Sequence, residues 1–205
     1  MCIRDRKKGH EMTQRTLVVG LGNPGDRYAG TRHNIGAMVV AELAQRAGVK
    51  LSAHKARAAV AETRIRPGAP RLVLAQPLSY MNVSGGPVSA LAKYYSLGAD
   101  ELVVVHDDVD LSFGAVKLKR GGGEGGHNGL RDITKALGTR DYIRVRVGVG
   151  RPPGRMDTAD YVLKRFSGAQ AKELPLLISD AADAVEMLSE RGLTDTQQHF
   201  HARLS

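Results

Sequence analysis

The unbroken apolar run at residues 102–105 limits the possible folds more than any other segment of the sequence. Leucine and three valines follow one another there, directly before His106. A strand exposed to water on one face alternates apolar and polar residues, whereas a strand covered on both faces does not. The run therefore predicts a central strand in a sheet that has helices on both of its faces.

Strands and helices alternate along most of the chain, separated by turn residues such as those at 67–68. The predicted strands cover residues 16–20, 58–65, 71–76, 102–106, 115–119 and 143–149. The predicted helices cover residues 32–47, 87–95, 128–137 and 169–190. Pro175 lies early in the last helix and is expected to kink or delay it. This order is typical of an α/β fold, here a single domain with a twisted mixed β-sheet flanked by helices on both faces.

The two ends of the chain are expected to lie outside this domain. Residues 1–14 lack apolar periodicity and have no apolar core of a secretory signal. We therefore expect a disordered or non-native leader, in which Met12 is a candidate for the natural start. The predicted domain spans residues 15–192, and residues 193–205 are expected to form a C-terminal tail.

Charge and cysteine content restrict the partners and the environment of the chain. The formal net charge is +9, of which the leader contributes only +2. A basic chain of this kind indicates a polyanionic partner, most often a nucleic acid. The single cysteine, Cys2, excludes an internal disulfide and favours a reducing compartment, and no apolar run is long enough to cross a membrane. We expect a cytoplasmic protein that does not bind membranes.

His33 stands at the predicted start of the helix over residues 32–47. Thr31 is the predicted N-cap, and Ile35 and Val39 belong to the apolar face that follows. The positive end of a helix dipole lowers the pKa of a histidine, which favours the neutral ring that can accept a proton. His33 is thus a candidate general base. The alternative is an ordinary polar residue on a solvated helix start.

A glycine-rich loop follows the first predicted strand. Residues 20–25 read Gly-Leu-Gly-Asn-Pro-Gly and match the G-x-G-x-x-G pattern of dinucleotide sites. In those sites the third glycine lies inside the helix that binds the pyrophosphate, whereas the helix predicted here begins several residues later. We therefore reject dinucleotide binding. We interpret the loop as a tight turn that presents the amide of Asn23 at the carboxyl end of a strand.

Acidic residues follow the buried strand directly, because residues 106–110 read His-Asp-Asp-Val-Asp. Carboxylates at a strand end can bind Mg²⁺ or can orient a histidine. The spacing of Asp108 and Asp110 also resembles a haloacid-dehalogenase phosphatase loop, although that loop normally lies near the start of a chain. If the fold brings His33 to this strand, a carboxylate–histidine pair is the better interpretation.

Two more segments place polar residues after strands or loops. Residues 121–126 are glycine except for Glu124 and lead into His127 and Asn128, but they lack the Lys-Ser/Thr that a P-loop requires. Residues 80–82 read Tyr-Met-Asn and follow another strand. Taken alone, each segment has a structural explanation: a flexible loop, an N-cap at Asn128, and packing with a turn.

Together these motifs resemble the family of bacterial peptidyl-tRNA hydrolases. The resemblance runs from about residue 17 to about residue 190, with five motifs in the family's order. The motifs are Gly20-Leu-Gly-Asn-Pro-Gly25, Thr31-Arg-His-Asn-x-Gly36 after Tyr28, Tyr80-Met-Asn-x-Ser-Gly85 after Pro77, His106-Asp-Asp-x-Asp110, and Gly125-Gly-His-Asn-Gly-Leu130. Glu124 interrupts the glycine run, where relatives also carry another residue.

The resemblance implies hydrolysis of the ester that joins a peptide's terminal carboxyl group to the 3′ ribose of tRNA. It implies that His33 activates water as the general base and that Asp107 keeps His33 basic and correctly oriented. The developing oxyanion needs a donor, which the amide of Asn23 or of Asn82 can supply. No metal and no other cofactor is expected.

The resemblance also implies a wider set of binding residues. The Asn23 position distinguishes blocked from free aminoacyl groups, because a free ammonium group is costly to desolvate. The peptide and the tRNA 3′ end are expected to contact Tyr28, Tyr80, Met81, Asn82, His127 and Asn128, with Met81 under the terminal adenine. Phosphates of the acceptor stem are expected to contact the outward strand residues Lys117, Lys119, Arg144 and Arg146, and also Arg155.

Two other classes of function stay open at this point. One is a tRNA-binding module of the same fold without activity, which would not need His33 and Asp107 together with two asparagines. The other is a metal-dependent phosphatase that uses Asp108 and Asp110 and is sensitive to chelators. For a peptidyl-tRNA hydrolase we expect a monomer.

Overall fold

A computed structural model describes residues 15–202 of the chain. The predicted leader, residues 1–14, lies outside the described residues. The described part is a mixed sheet with helices on both faces, which confirms the predicted α/β class. No helix within residues 15–202 is long and apolar enough to span a membrane.

The sheet of the described chain contains seven strands. They are β1 (Arg15–Gly20), β2 (Ser52–His54), β3 (Ala58–Arg64), β4 (Arg71–Pro77), β5 (Leu102–Asp108), β6 (Val116–Arg120) and β7 (Ile143–Gly148). Their order across the sheet is β2-β3-β4-β1-β5-β7-β6. The four central strands, β4, β1, β5 and β7, pair in parallel, so their carboxyl ends share one edge. The outer pairings, β2 with β3, β3 with β4 and β6 with β7, are antiparallel.

Helices cover both faces of this sheet. They are α1 (Asp26–Ala29), α2 (Ile35–Arg46), α3 (Gly85–Tyr94), α4 (Asn128–Leu137), α5 (Thr158–Val162), α6 (Gly168–Arg191) and α7 (Leu193–Ala202). On one face α2 and α6 bury residues such as Val39 and Ala181 against the strands. On the other face α3 and α4 bury Leu91 and Ile133. The strand β2 and the short helices α1 and α5 were not predicted from the sequence.

Two glycines let α2 pack directly on the central strands. A Cβ atom at Gly36 would lie only 2.1 Å from the carbonyl oxygen of Val105, and one at Gly20 would lie 2.2 Å from the carbonyl oxygen of Gly36. Any larger residue at either position would separate the helix from β1 and β5. This close approach holds the start of α2 beside the carboxyl end of β5.

Three details differ from the sequence-based predictions. Thr31 does not cap the helix, because its hydroxyl group donates to the carbonyl of Tyr28 at 2.8 Å, and a 3-10 turn (Arg32–Asn34) precedes α2. The helix α6 begins one residue earlier than predicted and continues through Pro175. Part of the predicted tail forms α7, in which Phe200 is buried.

Candidate active site

A cleft of about 470 Å³ opens at the carboxyl ends of the parallel strands. The segments that follow β1, β4 and β5 contribute to its walls, where ligands bind in open α/β sheets. It is lined by nine of the predicted site residues: Asn23, Tyr28, His33, Tyr80, Met81, Asn82, Asp107, His127 and Asn128. The five predicted phosphate contacts, by contrast, do not line this cleft.

His33 and Asp107 form a hydrogen-bonded pair in the cleft, with Nδ1 of the ring 2.8 Å from Oδ2 of the carboxylate. Burial lowers the pKa of His33, but the charge of Asp107 and this hydrogen bond raise it more, so the net shift is upward. The predicted lowering of the His33 pKa by a helix dipole is therefore wrong. His33 lies in the 3-10 turn ahead of α2, and the adjacent carboxylate dominates its environment.

Asp107 is buried, and its second carboxylate oxygen forms a hydrogen bond with another histidine. Nε2 of His127 lies 2.8 Å from Oδ1 of Asp107. Although burial raises the pKa of Asp107, the interactions with His33 and His127 hold it well below its usual range. The carboxylate is therefore ionised and is oriented from both sides.

The backbone fixes the tautomer of His127. Its Nδ1 accepts hydrogen bonds from the backbone N–H groups of Gly129 and Leu130 at 3.1 and 3.3 Å, which makes His127 the N-cap of α4. The N-cap is thus His127 and not Asn128. A nitrogen that accepts from N–H groups carries no proton, so the proton of the neutral ring lies on Nε2 and points at Asp107.

The same reasoning assigns the proton of His33. The carboxylate of Asp107 can only accept, so Nδ1 of His33 donates to it. In the neutral ring Nε2 then carries the free lone pair, and His33 lines the cleft. The arrangement leaves one basic nitrogen at the cleft with a carboxylate behind it, which is the geometry that general-base catalysis requires.

His106 completes a group of three histidines around Asp107. Its Nδ1 donates to the backbone carbonyl of Asp107 at 2.7 Å, and its ring lies 5.1 Å from that of His127. Burial, followed by the proximity of His127, lowers the pKa of His106 to about 3. The ring is therefore neutral, and its buried Nε2 has no hydrogen-bond partner within residues 15–202.

The side-chain amide of Asn23 has a fixed orientation. Its Oδ1 accepts a hydrogen bond from the backbone N–H of Met81 at 2.7 Å. Its backbone is held by Asn34, whose side chain accepts from Asn23 N–H and donates to Asn23 C=O, each at 2.9 Å. With Oδ1 occupied, the Nδ2 group is left as the donor that Asn23 offers to the cleft.

The outer part of the cleft is aromatic and polar. Tyr28 and Tyr80 meet edge to face with their ring centroids 6.4 Å apart, and Tyr80 is 59% exposed. Asn82 and Asn128 are exposed at the rim. A group bound in the cleft can therefore stack on tyrosine and form hydrogen bonds with side-chain amides at the same time.

The acidic residues after Asp107 are already paired with arginines. Oδ2 of Asp108 accepts from Nε of Arg146 at 2.8 Å, and Asp110 pairs with Arg151. Each carboxylate therefore has a guanidinium group as its partner. The phosphatase alternative, which needs both carboxylates on a metal, therefore receives no support from their geometry.

His33, Asp107 and His127 do offer three potential metal-ligand atoms within 4.8 Å of one another. Two hydrogen bonds already join these atoms. A metal ion would have to replace both shared protons and would compete with the N-cap bonds of His127. The arrangement thus fits a proton-binding site better than a metal site.

The predicted phosphate contacts have different surroundings. Lys117 and Lys119 are half-buried on β6, and Arg155 is exposed. Burial, together with the charges of Arg146 and Arg144, lowers the pKa of Lys119, which indicates a concentration of positive charge. Arg144, however, has no exposed surface. Its predicted outward position is wrong, because the side chain is enclosed between the ring of Tyr142 and the loop over residues 121–126, where it donates to the carbonyl of Gly123.

Sequence reasoning missed several residues that shape the site. Asn34 lies inside a recognised motif, but its reciprocal bonds to the Asn23 backbone depend on the tertiary fold. His106 ends an apolar run and gave no separate signal. Ala159, Val162 and Leu163 of the α5 region form an apolar wall of the cleft. The helix α5 is too short for its apolar residues to show a helical period in the sequence.

The fold and the cleft are those of an α/β protein with a histidine–carboxylate pair at the carboxyl edge of its sheet. A sequence model of the peptidyl-tRNA hydrolase family matches residues 17–205. The chain belongs to this family, which confirms the resemblance inferred from its motifs.

Similar proteins agree with this assignment. A peptidyl-tRNA hydrolase of Pseudarthrobacter chlorophenolicus is 65% identical over 190 residues, covering 93% of this chain and 97% of that protein. One of Arthrobacter sp. is 62% identical, covering 93% and 98%. The crystal structure of the peptidyl-tRNA hydrolase from Acinetobacter baumannii matches this fold with a TM-score of 0.86, covering 95% of this chain and 98% of that one, and the two sequences are 33% identical.

Proposed function

We propose that this chain hydrolyses the ester between the peptide C-terminus and the 3′ ribose of peptidyl-tRNA and so releases tRNA and peptide. The family match over residues 17–205 supports this activity. The observation that carries it is the meeting in one cleft of a histidine with a free ring nitrogen and an amide donor of fixed orientation.

In this proposal His33 takes a proton from the attacking water. Nε2 is the accepting nitrogen, because Nδ1 donates to Asp107. The positive ring that forms is stabilised by the buried carboxylate, in line with the upward shift of the His33 pKa. His127 holds the second oxygen of Asp107 and thereby keeps the carboxylate in register with His33.

Asn23 supplies a donor to the oxyanion that develops on the ester carbonyl. Its Nδ2 group is held in place before the reaction, which is what makes an oxyanion donor effective. Asn82 is the second candidate, although it is exposed and less constrained. Asn23 also favours a blocked aminoacyl group, since a peptide amide can be hydrogen-bonded whereas a free ammonium group must be desolvated.

The remaining residues of the cleft bind the peptide and the end of the tRNA. Tyr28, Tyr80 and Asn128 offer stacking and hydrogen-bonding groups at the rim, and Met81 offers a soft surface to the terminal adenine. We assign the acceptor-stem phosphates to the basic residues that reach the surface, which are Lys117, Lys119, Arg146 and Arg155. Arg144 is left out of this set because it is buried.

We also propose that the chain acts as a monomer in the cytoplasm. Its substrate arises during translation, and the net charge of +9 suits a partner made of nucleic acid. Neither the proposed chemistry nor the cleft needs a residue from a second copy, because the described chain supplies every group that the mechanism uses.

The direct test compares two substrates. Purified protein is incubated with an N-blocked peptidyl-tRNA and, separately, with the corresponding free aminoacyl-tRNA. The proposal predicts rapid release of tRNA from the first and slow release from the second, and it predicts that a minimal ester substrate is cleaved in the presence of a chelator. Binding of peptidyl-tRNA without cleavage would instead favour the inactive binding module, and chelator-sensitive cleavage would favour a metal-dependent enzyme.

A further inference from the structure

Arg144 of β7 is an unusual residue for the interior of this protein. Its side chain has no exposed surface, and a guanidinium group keeps its charge in proteins. Nη1 donates to the backbone carbonyl of Gly123, and the group lies 4.7 Å from the ring centroid of Tyr142. Within residues 15–202, Nε and Nη2 have no hydrogen-bond partner, and no carboxylate forms an ion pair with this arginine.

This environment does not favour a purely stabilising role. A buried charge loses its hydration, and only a good set of partners repays that loss. Arg144 has one carbonyl and one aromatic face, so its burial is poorly compensated. Replacement of such groups by an apolar side chain of similar volume is often neutral or stabilising. The contact with Gly123 is then the feature that needs a functional explanation.

Gly123 belongs to the glycine-rich loop over residues 121–126. Four of the five glycines there have positive φ angles, between +60° and +91°, a conformation that glycine adopts without steric cost, so the loop depends on its contacts to stay in one conformation. Two arginine side chains bind the loop: Nη1 of Arg144 donates to the Gly123 carbonyl, and Arg140 pairs with the side chain of Glu124 at 3.0 Å. At its start, the N–H of Gly121 also donates to the carbonyl of Tyr142 at 3.0 Å, so Arg144 is the contact that holds the middle of the loop.

The loop leads directly into the catalytic group. The carbonyl of Glu124 accepts a hydrogen bond from the backbone N–H of His127 at 2.9 Å. His127 then caps α4 through Nδ1 and donates to Asp107 through Nε2. A continuous series of contacts therefore runs from Arg144 through the loop to the carboxylate that orients His33.

We propose that Arg144 is a positioning residue, which fixes the glycine loop through the carbonyl of Gly123 and so holds His127 against Asp107. This inference rests on the proposed hydrolysis, but it also makes a structural prediction of its own. Without Arg144 the loop should move, the N-cap of α4 should weaken, and Asp107 should lose a donor.

The test uses Arg144→Met, which keeps an unbranched side chain of similar length, and Arg71→Met as the matched control. Arg71 is exposed at the start of β4, far from the loop, and its replacement removes the same charge. Three quantities are measured: the melting temperature, amide hydrogen exchange at Gly129 and Leu130, and kcat and KM on a minimal ester without the tRNA body.

For Arg144→Met the inference predicts an unchanged or higher melting temperature, faster exchange of the two capped amides, and a kcat lower by about 10-fold or more, because the rate falls steeply when a catalytic group is misplaced. KM on the minimal ester should change little. The apparent pKa on the acid side of the rate profile should rise, because Asp107 without the His127 donor interacts more strongly with His33. Arg71→Met should behave like the parent.

Two further variants test whether the effect passes through His127. Arg144→Lys keeps a charge and an N–H donor for the Gly123 carbonyl, so it should recover part of the lost kcat. In a His127→Ala background, Arg144→Met should have little additional effect, since residues that act through one another are not additive.

Several results would overturn the inference. They are parent-like amide exchange, a large fall in melting temperature or failure to fold, full additivity with His127→Ala, or a loss seen only as a higher KM on whole peptidyl-tRNA. The last result would make Arg144 a phosphate contact after all. If the parent itself cleaves no ester, the proposed function fails, while the amide-exchange comparison still decides whether Arg144 holds the loop.

Discussion

Nδ1 of His33 and Oδ2 of Asp107 lie 2.8 Å apart, although 74 positions separate the two residues in the chain. The contact depends on how closely α2 packs on the sheet. Gly36 at the start of this helix lies against the carbonyl of Val105, two residues before Asp107 on β5. The helix start and the strand end are therefore held in register, and the base meets its carboxylate without any loop having to close.

The first prediction concerns the pH dependence of Asp107→Asn. The carboxylate raises the pKa of His33, so a neutral amide should lower the apparent pKa on the acid side of the kcat/KM profile. The rate should fall as well, because the amide no longer stabilises the positive ring. A profile with the parent's apparent pKa would show that Asp107 is not the electrostatic partner of His33.

A second prediction separates the two functions of the Asn23 amide. Asn23→Asp keeps the oxygen that accepts from Met81 N–H but replaces the Nδ2 donor by a second oxygen. We expect a near-normal melting temperature and a kcat lower by about 10²–10³-fold, the scale for loss of an oxyanion donor. Asn82→Asp is the matched control. If it causes the larger loss, the oxyanion donor is Asn82 instead.

The alternation of strands and helices was sufficient to predict the fold class, and the apolar run at residues 102–105 predicted the central strand. The pairing of His33 with Asp107 was expected from the resemblance of the motifs to the family, and it is possible because residues that follow parallel strands gather at one edge of the sheet. The direction of the His33 pKa shift could not be predicted in the same way. It depends on the distance to a carboxylate that is remote in sequence, whereas the helix dipole was the only local influence visible.

The sequence also could not reveal that Arg144 is buried. Alternation correctly puts it on the same face as Arg146, but it does not say which loop covers that face. Lys117 and Lys119 lie on the adjacent edge strand, where α7 packs. The role of His127 as N-cap was hidden for a related reason, because Asn128 is the more usual capping residue and only the backbone geometry decides between them.

A third prediction concerns stability in acid. The pKa of His106 is about 3 in the folded protein and about 6.5 when the ring is free in water. Its neutral form thus contributes stability that is fully present above pH 6.5 and is lost as the pH falls toward 3. His33 acts in the opposite sense, because its raised pKa gives stability at low pH that is lost as the pH rises.

These two effects can be separated with His106→Asn and urea unfolding at pH 7 and pH 5. The parent should lose about 2 kcal/mol more free energy of unfolding over this interval than the variant, as linkage requires for one such group. The variant need not match the parent's absolute stability, since only the difference between the two pH values matters. If both proteins lose the same free energy of unfolding between pH 7 and pH 5, the pKa of His106 is not lowered in the folded state.

The fourth prediction concerns the basic surface of β6. Lys117→Ala together with Lys119→Ala should weaken binding of whole peptidyl-tRNA, and each removed charge should reduce the salt slope by about one unit or less. Preference among tRNAs should not change, because phosphate contacts carry no sequence information. Hydrolysis of the minimal ester should be nearly unaffected. Equal losses on both substrates would mean that these lysines support the fold or the chemistry.

The most direct test of the central claim is single-turnover hydrolysis of peptidyl-tRNA by the parent and by His33→Ala. His33 lies at the surface of the cleft and not in either apolar core, so the variant should fold with little change in melting temperature. We predict that its rate constant falls by at least ~10²-fold at saturating protein, as expected for loss of a general base. A folded variant that cleaves peptidyl-tRNA at nearly the parent's rate would contradict the assignment of His33 as the base.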